Sequence, residues 1–546
     1  MSAHTEASVS PPQVRRRAVV IGAGVSGLAT AALLLHEGLD VTVLEQRDEV
    51  GGRAGTWERD GFVFDTGPSW FLMPEVFDHF YRMLGTSLAE QLDLVRVDPA
   101  YRVFFEPAGA PGAEAAEPLV LSSGIDAVAA SFEAIEPGAG AAIRKYLESA
   151  GDAYRLSVDR FLYNPFTRPS ELWQPQVLRR LPRLVRMLSE SLHRRVGRTV
   201  RDQRLQKVLE FPAVFLASSP FTAPAMYHLM SHLDLSDGVY YPRGGFSELI
   251  RSMRRLADGA EFVMGAEATR ILTSDSQVTG VEWRDRSGEV STIDADVVVS
   301  TVDMHHTETR LLDPEDRFRP KTDWDRVDAG PSAVIAMLGV DGPIPQLEHH
   351  SLFFADDWRD NFEAIRDGNM PERPSFYVCM PSHSDRSVAP EGSENLFILI
   401  PGPAAPSLGS GGLDGQGDPA VEAAVDRAID ALAARAGIPD LRERILVRRT
   451  LGPRDFEREF SSFKGSAIGY AHTLRQSAMF RGRTASRRVS GLYAAGGTTV
   501  PGVGVPMCLI SAELVVKHLR GDSSPGPLPE PAGVPSGSST PLESRP

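Results

Sequence analysis

The stretch Arg17 to Arg53, RAVVIGAGVSGLATAALLLHEGLDVTVLEQRDEVGGR, constrains the fold of this chain more than any other. Ala18 to Ile21 is a short apolar run of the kind that forms a buried parallel strand. Gly22, Gly24 and Gly27 follow in G-x-G-x-x-G spacing. The Ala/Leu-rich segment Leu28 to His36 then reads as a helix closed by Gly38. Val41 to Leu44 is a second β-branched run ending in an acid, Glu45. Strand, glycines, helix, strand and an acid about 20 residues past the glycines predict a βαβ dinucleotide-binding unit. In such a unit Gly22 makes the tight turn, Gly24 lets backbone approach a pyrophosphate, and Gly27 lets helix and strand pack closely. The helix N-terminus faces the phosphates, and Glu45 can accept hydrogen bonds from ribose hydroxyls.

At 546 residues the chain can bury the cores of two or three domains. Its net charge of −15 argues against a general nucleic-acid binder. The two cysteines, Cys379 and Cys508, are far apart, so no disulfide framework is expected and a reducing cytoplasm is the default. No CxxC or local His/Cys cluster suggests a metal, and none is expected. The N-terminal residues lack the apolar core of a signal peptide, and no run of about 18 apolar residues could span a bilayer.

Along the chain, residues 1–14 read as a disordered leader and 522–546 as a disordered Pro/Ser/Gly-rich tail. Gly51, Gly52 and Arg53 suit a pyrophosphate through close backbone and charge. Phe62 and Phe64 alternate as a strand, and Pro74 opens a helix. Residues 124–170 read as helices. Between Arg179 and Lys207 ten Lys/Arg stand against two acids, with Leu178, Leu181, Leu184, Val185, Leu188 and Leu192 at helical spacing and Trp173 upstream. A basic amphipathic helix of this kind fits docking on an anionic membrane surface; a solvated helix covering its own core is the plainer alternative. Phe211 to Met230 is apolar and aromatic, suited to a cavity wall or to plain core. Strands are expected at Glu261–Met264, Ala266–Leu272 and Ala295–Thr301, with a hairpin between the last two. Further strands are expected at Ala333–Val340, Ser375–Met380, Leu396–Pro401 and Ile445–Thr450, and an exposed loop over 402–419.

Residues 491–519, GLYAAGGTTVPGVGVPMCLISAELVVKHL, repeat the opening logic as strand, glycine-rich loop and helix. The N-terminus of a helix starting near Pro506 would stabilise negative charge on a ligand in the loop. Two such units at opposite ends of the chain favour one large cofactor spanning both, and FAD fits that better than NAD. The domain assignment follows: 15–90, 235–315 and 456–521 as a discontinuous FAD-binding domain, 91–234 and 316–455 as a substrate-binding, partly helical domain.

On these residues, together with FDTGPSWFLMP, GVYYPRGGFSELI and ADVVVSTVDMHH, the chain resembles the carotenoid desaturases of the bacterial phytoene desaturase type, within the flavin amine oxidase-like superfamily. The resemblance covers roughly residues 15 to 520. It implies an α/β fold with a discontinuous Rossmann-like FAD-binding domain, a mixed-sheet substrate domain and a helical, membrane-facing part. It implies that Gly22, Gly24, Gly27, Glu45, Gly52 and Arg53 hold the ADP half of FAD and that Ala268 meets the adenine through backbone. Gly497, Thr498 and the helix start Val505, Pro506 and Met507 would hold the ribitol and flavin, with Pro68 and Ser69 near the isoalloxazine face. The implied reaction desaturates phytoene stepwise towards lycopene, by hydride transfer from an allylic carbon to flavin N5 and loss of a neighbouring proton. Catalysis is then flavin-centred, with no general base named; Asp303, His305 and His306 lie after a strand, where capping is the more ordinary role. The implied substrate is a long polyene hydrocarbon that would arrive from the bilayer, so the expected location is the cytoplasm, on the inner face of the cell membrane. The alternatives are a desaturase or oxygenase of another carotenoid, an amine or protoporphyrinogen oxidase of the superfamily, and a non-catalytic isoprenoid carrier of the Rab-escort type.

Overall fold

The computed structural model describes residues 15–107, 117–167, 186–319 and 322–531. Two sheets organise them. In the first, five strands lie parallel in the order Leu492–Ala494, Val297–Ser300, Arg17–Ile21, Asp40–Glu45, Glu261–Met264. Distant parts of the chain thus converge on the opening strand. Successive side chains of a strand point to opposite faces, and here each face is covered. Ala18 and Val20 pack under the helices Val25–His36 and Val505–Arg520. Val19 and Ile21 pack on a three-stranded antiparallel sheet, Glu267–Ser274, Gln277–Arg284 and Val290–Asp294. Burial on both sides explains why the strand reads as an unbroken apolar run.

The second sheet has seven strands in the order Ile445–Leu451, Ser332–Asp341, Ser393–Gly402, Phe376–Cys379, His350–Phe354, Tyr101–Phe105, Leu119–Leu121. Only the pairing of Tyr101–Phe105 with His350–Phe354 is parallel among these described strands. Alternation again sorts the side chains. Val334, Ala336, Leu338 and Val340 pack beneath the helix Pro419–Ala436, while Ala333, Ile335 and Met337 face the helices of the 125–210 region.

Three expectations change. The strand His350–Phe354 is not expected from the sequence, and it joins the sheet between Phe376–Cys379 and Tyr101–Phe105. The loop over 402–419 is exposed mainly at Leu413–Gln416; the rest folds back, with the Gly411 N–H donating to Asp455 Oδ2 at 2.7 Å and the Gly412 N–H to Thr450 Oγ1 at 2.8 Å. The tail does not start at Asp522. Leu528 is buried, its N–H donates to Glu513 Oε1 at 2.6 Å, and Lys517 Nζ donates to the Ser524 carbonyl at 2.6 Å. The leader 1–14, residues 532–546, and Trp173 with the opening of the basic segment up to residue 185 lie outside the described residues.

The described part of the basic segment is broken, with helices at Leu192–Gly197 and Gln203–Glu210. Arg186 and Arg198 pair with Glu190, and Arg204 pairs with Asp202. Lys207 is buried, donating to the Ala355 and Asp356 carbonyls at 2.9 Å each. That residue belongs to the core side of its helix, not to a wet cationic stripe.

Candidate functional site

A single cavity of about 920 Å³ runs from the end of the first sheet to the second. The glycines set its shape. Gly22 has φ +98°, and a Cβ there would sit 2.9 Å from Thr301 Oγ1. A Cβ on Gly27 would lie 1.9 Å from the Gly22 carbonyl oxygen, so no other residue lets the helix lie this close to the strand. Gly24 and Gly52 face each other so closely that a Cβ on Gly52 would be 3.2 Å from the Gly24 Cα. Gly22, Gly24 and Gly52 line the cavity; Gly27 lies behind it as packing.

Glu45 ends its strand buried at the cavity edge. Its Oε2 accepts the Ala23 N–H at 2.7 Å and its Oε1 the Arg47 N–H at 2.9 Å. Ala266, whose N–H bonds the Glu45 carbonyl at 2.8 Å, brings Ala268 to the same corner. Arg53 reaches in with Nη2 donating to Ser462 Oγ, while its buried Nε has no partner. Burial lowers the Arg53 pKa from its ordinary value, and Asp303 opposes that shift. Pro68 and Ser69 line the cavity beside it, Ser69 Oγ accepting the Tyr377 hydroxyl at 2.9 Å.

The distal unit meets this one. Gly497, Thr498, Val505, Pro506 and Met507 all line the cavity. The helix Val505–Arg520 starts after Gly504 (φ +115°) with no side-chain cap, as does the helix Val25–His36 after Gly24. Two N-termini with uncapped N–H groups therefore open on one space. The Thr498 hydroxyl accepts the Met304 N–H at 3.1 Å, which ties the loop to the segment after the strand Val297–Ser300.

The same segment settles what Asp303 does. Its Oδ1 accepts the His305 N–H at 2.8 Å and the Tyr470 hydroxyl at 2.6 Å, and its Oδ2 the Phe463 N–H at 3.1 Å. The carboxylate is a cap and a tie between loops. His305 packs against Trp324 and Phe463, and His306 lines the cavity; burial lowers the pKa of both.

Residues that the sequence did not flag hold the distal loop. Arg481, 2% exposed, donates to four carbonyls: Nη2 to Gly497 at 2.7 Å and Tyr470 at 3.1 Å, Nη1 to Gln476 at 3.0 Å, and Nε to Thr499 at 3.1 Å. Burial pulls its pKa down to about 10. His472 Nε2 accepts the Val503 N–H at 3.3 Å, so Nδ1 carries the proton and donates to Tyr227 Oη at 3.1 Å. Burial keeps this imidazole neutral. Both residues act through backbone atoms of a loop, and nothing in the local sequence announces that.

Beyond the glycine-rich units the wall turns apolar. Trp70, Phe211, Phe215, Met226, Leu229 and Met230 line it, which makes Phe211 to Met230 cavity wall as well as core. Trp70 sits among Tyr101, Phe211, Phe215, His350 and Tyr377 with ring centroids 4.9–6.3 Å apart. At the rim Leu474, Met479 and Phe480 are 49%, 38% and 58% exposed.

A dinucleotide-type sheet joined by a shared cavity to an apolar chamber defines a class, the two-domain flavin oxidoreductases. Residues 25–519 match the family described as flavin containing amine oxidoreductase. The chain belongs to that family and is an FAD-dependent oxidoreductase. It is 35% identical to a carotenoid 3,4-desaturase of Haloarcula japonica, over 92% of this chain and 98% of that protein. It is also 35% identical to a zeta-carotene-forming phytoene desaturase of Myxococcus xanthus, over 92% and 94%. Among solved structures, an oxidoreductase from Methanosarcina mazei aligns with TM-score 0.62 at 17% identity, over 92% of this chain and all of that one. A putrescine oxidase bound to putrescine aligns with TM-score 0.58 at 16% identity, over 93% and 100%. These two show the shared fold.

Removing the Arg481 donors leaves four carbonyls short of partners, those of Tyr470 and Thr499 fully buried and those of Gln476 and Gly497 partly so. At about 1–3 kcal/mol for each buried unsatisfied group, Arg481→Met is expected to lose at least roughly 2 kcal/mol in urea unfolding, while Arg475→Met, at an exposed position, leaves the midpoint within error.

Proposed function

We propose that this protein is an FAD-dependent carotenoid desaturase that introduces double bonds into a long polyene such as phytoene, towards lycopene. The observation that carries the reading is the continuity of one cavity, dinucleotide-suited at one end and apolar and aromatic at the other. The 35% identical desaturases support the substrate class.

The residues present suit FAD. The Gly24–Gly52 approach, the unpartnered Arg53 Nε and the uncapped helix at Gly24 would take the diphosphate, with Glu45 on the ribose and Ala268 beside the adenine. The loop at Gly497–Thr498 and the helix start Val505–Met507 would face the ribitol and ring, with Pro68 and Ser69 opposite. Bound there, FAD supplies a two-electron acceptor for hydride leaving an allylic carbon. The rest falls to the chain. A hydrocarbon offers no hydrogen-bonding handle, so Trp70, Phe211, Phe215 and Met230 position it by shape and keep water out. Arg481 and His472 hold the distal loop rigid from behind.

Such a substrate comes from a bilayer, and we place the protein peripherally on the inner face of the cell membrane. Among the described residues no helix is long and apolar enough to cross a membrane. The exposed Leu474, Met479 and Phe480 lie at the cavity rim, where they would dip among lipids, with the exposed Arg194 and Arg201 able to meet anionic headgroups. A second reading has equal support from identity: the Haloarcula relative is a carotenoid 3,4-desaturase, so an already unsaturated carotenoid is the other candidate substrate.

Parallel incubations with FAD and either phytoene or lycopene in liposomes are expected to yield coloured, further-desaturated products from phytoene; phytoene recovered unchanged while lycopene is consumed favours the second reading, and neither consumed contradicts both. Arg53→Ala, which removes a charged donor for a diphosphate, is expected to weaken FAD retention roughly 10–100-fold in fluorescence titration. Phe480→Asp and Arg194→Glu/Arg201→Glu are each expected to reduce sedimentation with anionic vesicles, the latter in a salt-dependent way. Binding unchanged by either variant contradicts the docking.

A further inference from the structure

Behind Trp70 lies a cluster that the dinucleotide site does not use. Cys379 and His350 are register partners on antiparallel strands, so their side chains rise from one face of the second sheet. His349 directly precedes His350. One ring nitrogen of each histidine and the Cys379 Sγ lie within 4.8 Å of one another, and all three residues are buried.

Their hydrogen bonding is incomplete in a specific way. Tyr377 donates its hydroxyl proton to Ser69 Oγ at 2.9 Å, so the contact at 2.7 Å between Tyr377 Oη and His350 Nδ1 has the imidazole as donor. The His350 Nε2 then carries a lone pair. His349 Nδ1 stands 2.8 Å from Ser384 Oγ. The Nε2 atoms of both histidines are buried without a partner. Side-chain oxygens that orient imidazoles while leaving one nitrogen bare are the usual surroundings of metal-binding histidines.

We propose that His349, His350 and Cys379 bind one divalent cation of borderline softness, Zn²⁺ being the best match. Imidazole and thiolate together select that class of ion. Zinc bonds of about 2.0–2.1 Å to nitrogen and about 2.3 Å to sulfur hold the N···N and N···S ligand pairs of a tetrahedron about 3.3–3.6 Å apart. The cluster, within 4.8 Å at its widest, therefore closes by no more than about 1.2–1.5 Å, and a fourth position stays open. Uptake exchanges the Cys379 thiol proton for the ion, and that proton leaves to solvent. Without a cation, burial pushes the thiol up to about 12. His350 stacks on Trp70 at 4.9 Å and bonds Tyr377, both on the cavity wall, so the ion braces that wall from behind and does not touch substrate. The site is independent of the substrate assignment above.

The test is zinc content of tag-free, flavin-loaded protein after incubation with Zn²⁺ and gel filtration, measured by plasma mass spectrometry beside Cys379→Ser and His349→Gln. The expected result is about one Zn²⁺ per wild-type chain and at least roughly tenfold less in either variant at equal flavin content. Co²⁺ loading should add thiolate-to-metal absorption in wild type that Cys379→Ser lacks. Wild-type protein that retains no zinc above background overturns the proposal whatever the variants do. Zinc retained equally in Cys379→Ser also overturns it, by placing the ion elsewhere.

Discussion

The contact between the helix Val25–His36 and the strand before it sets what the rest of the structure can do. With 1.9 Å between the Gly22 oxygen and the place a Cβ on Gly27 would occupy, only glycine permits it. That closeness aims the uncapped helix N-terminus at the space above Gly24, and Gly52 comes down on the same spot from the other side. The corner proposed for the diphosphate thus consists largely of backbone, with Arg53 as its charged side chain. Its position is fixed by packing, so little rearrangement is needed on binding.

The chain builds the opposite end of the cavity by a different means. The distal loop cannot rely on a short βαβ unit, because its neighbours in space come from residues 303 and 463–481. A buried carboxylate, Asp303, gathers the His305, Phe463 and Tyr470 donors. A buried guanidinium, Arg481, gathers the carbonyls of Gly497, Thr499, Tyr470 and Gln476. Burying these charges is costly unless their hydrogen bonds are complete, and here the contacts occupy both oxygens of one and every nitrogen of the other. The result is a rigid loop that carries no charged side chain into the cavity itself, which suits an apolar substrate.

What was legible in the sequence was what is local. The glycine spacing, Glu45 and Arg53 stand in one 37-residue window, and each has a steric or electrostatic reason tied to its neighbours. The strand Ser332–Asp341 was legible because burial on both faces leaves an unbroken apolar run. His350–Phe354 was not, since its place depends on a parallel partner near residue 103. Arg481 and His472 were invisible because they act on backbone atoms far along the chain. The Cys379–His350 pairing follows from strand register, and a search for closely spaced ligands could not find it. In the described part of the basic segment, composition does not reveal that Lys207 is a core residue or that Arg186, Arg198 and Arg204 are paired with Glu190 or Asp202.

The central claim is that one cavity brings a polyene and FAD into contact. Anaerobic mixing of the FAD-loaded protein with a micellar polyene, followed by flavin absorbance, tests it most directly. The account predicts bleaching of the bound flavin in a single turnover, matched mole for mole by new double bonds in the recovered polyene. Flavin that stays oxidised with phytoene and lycopene but bleaches with a diamine such as putrescine would contradict it.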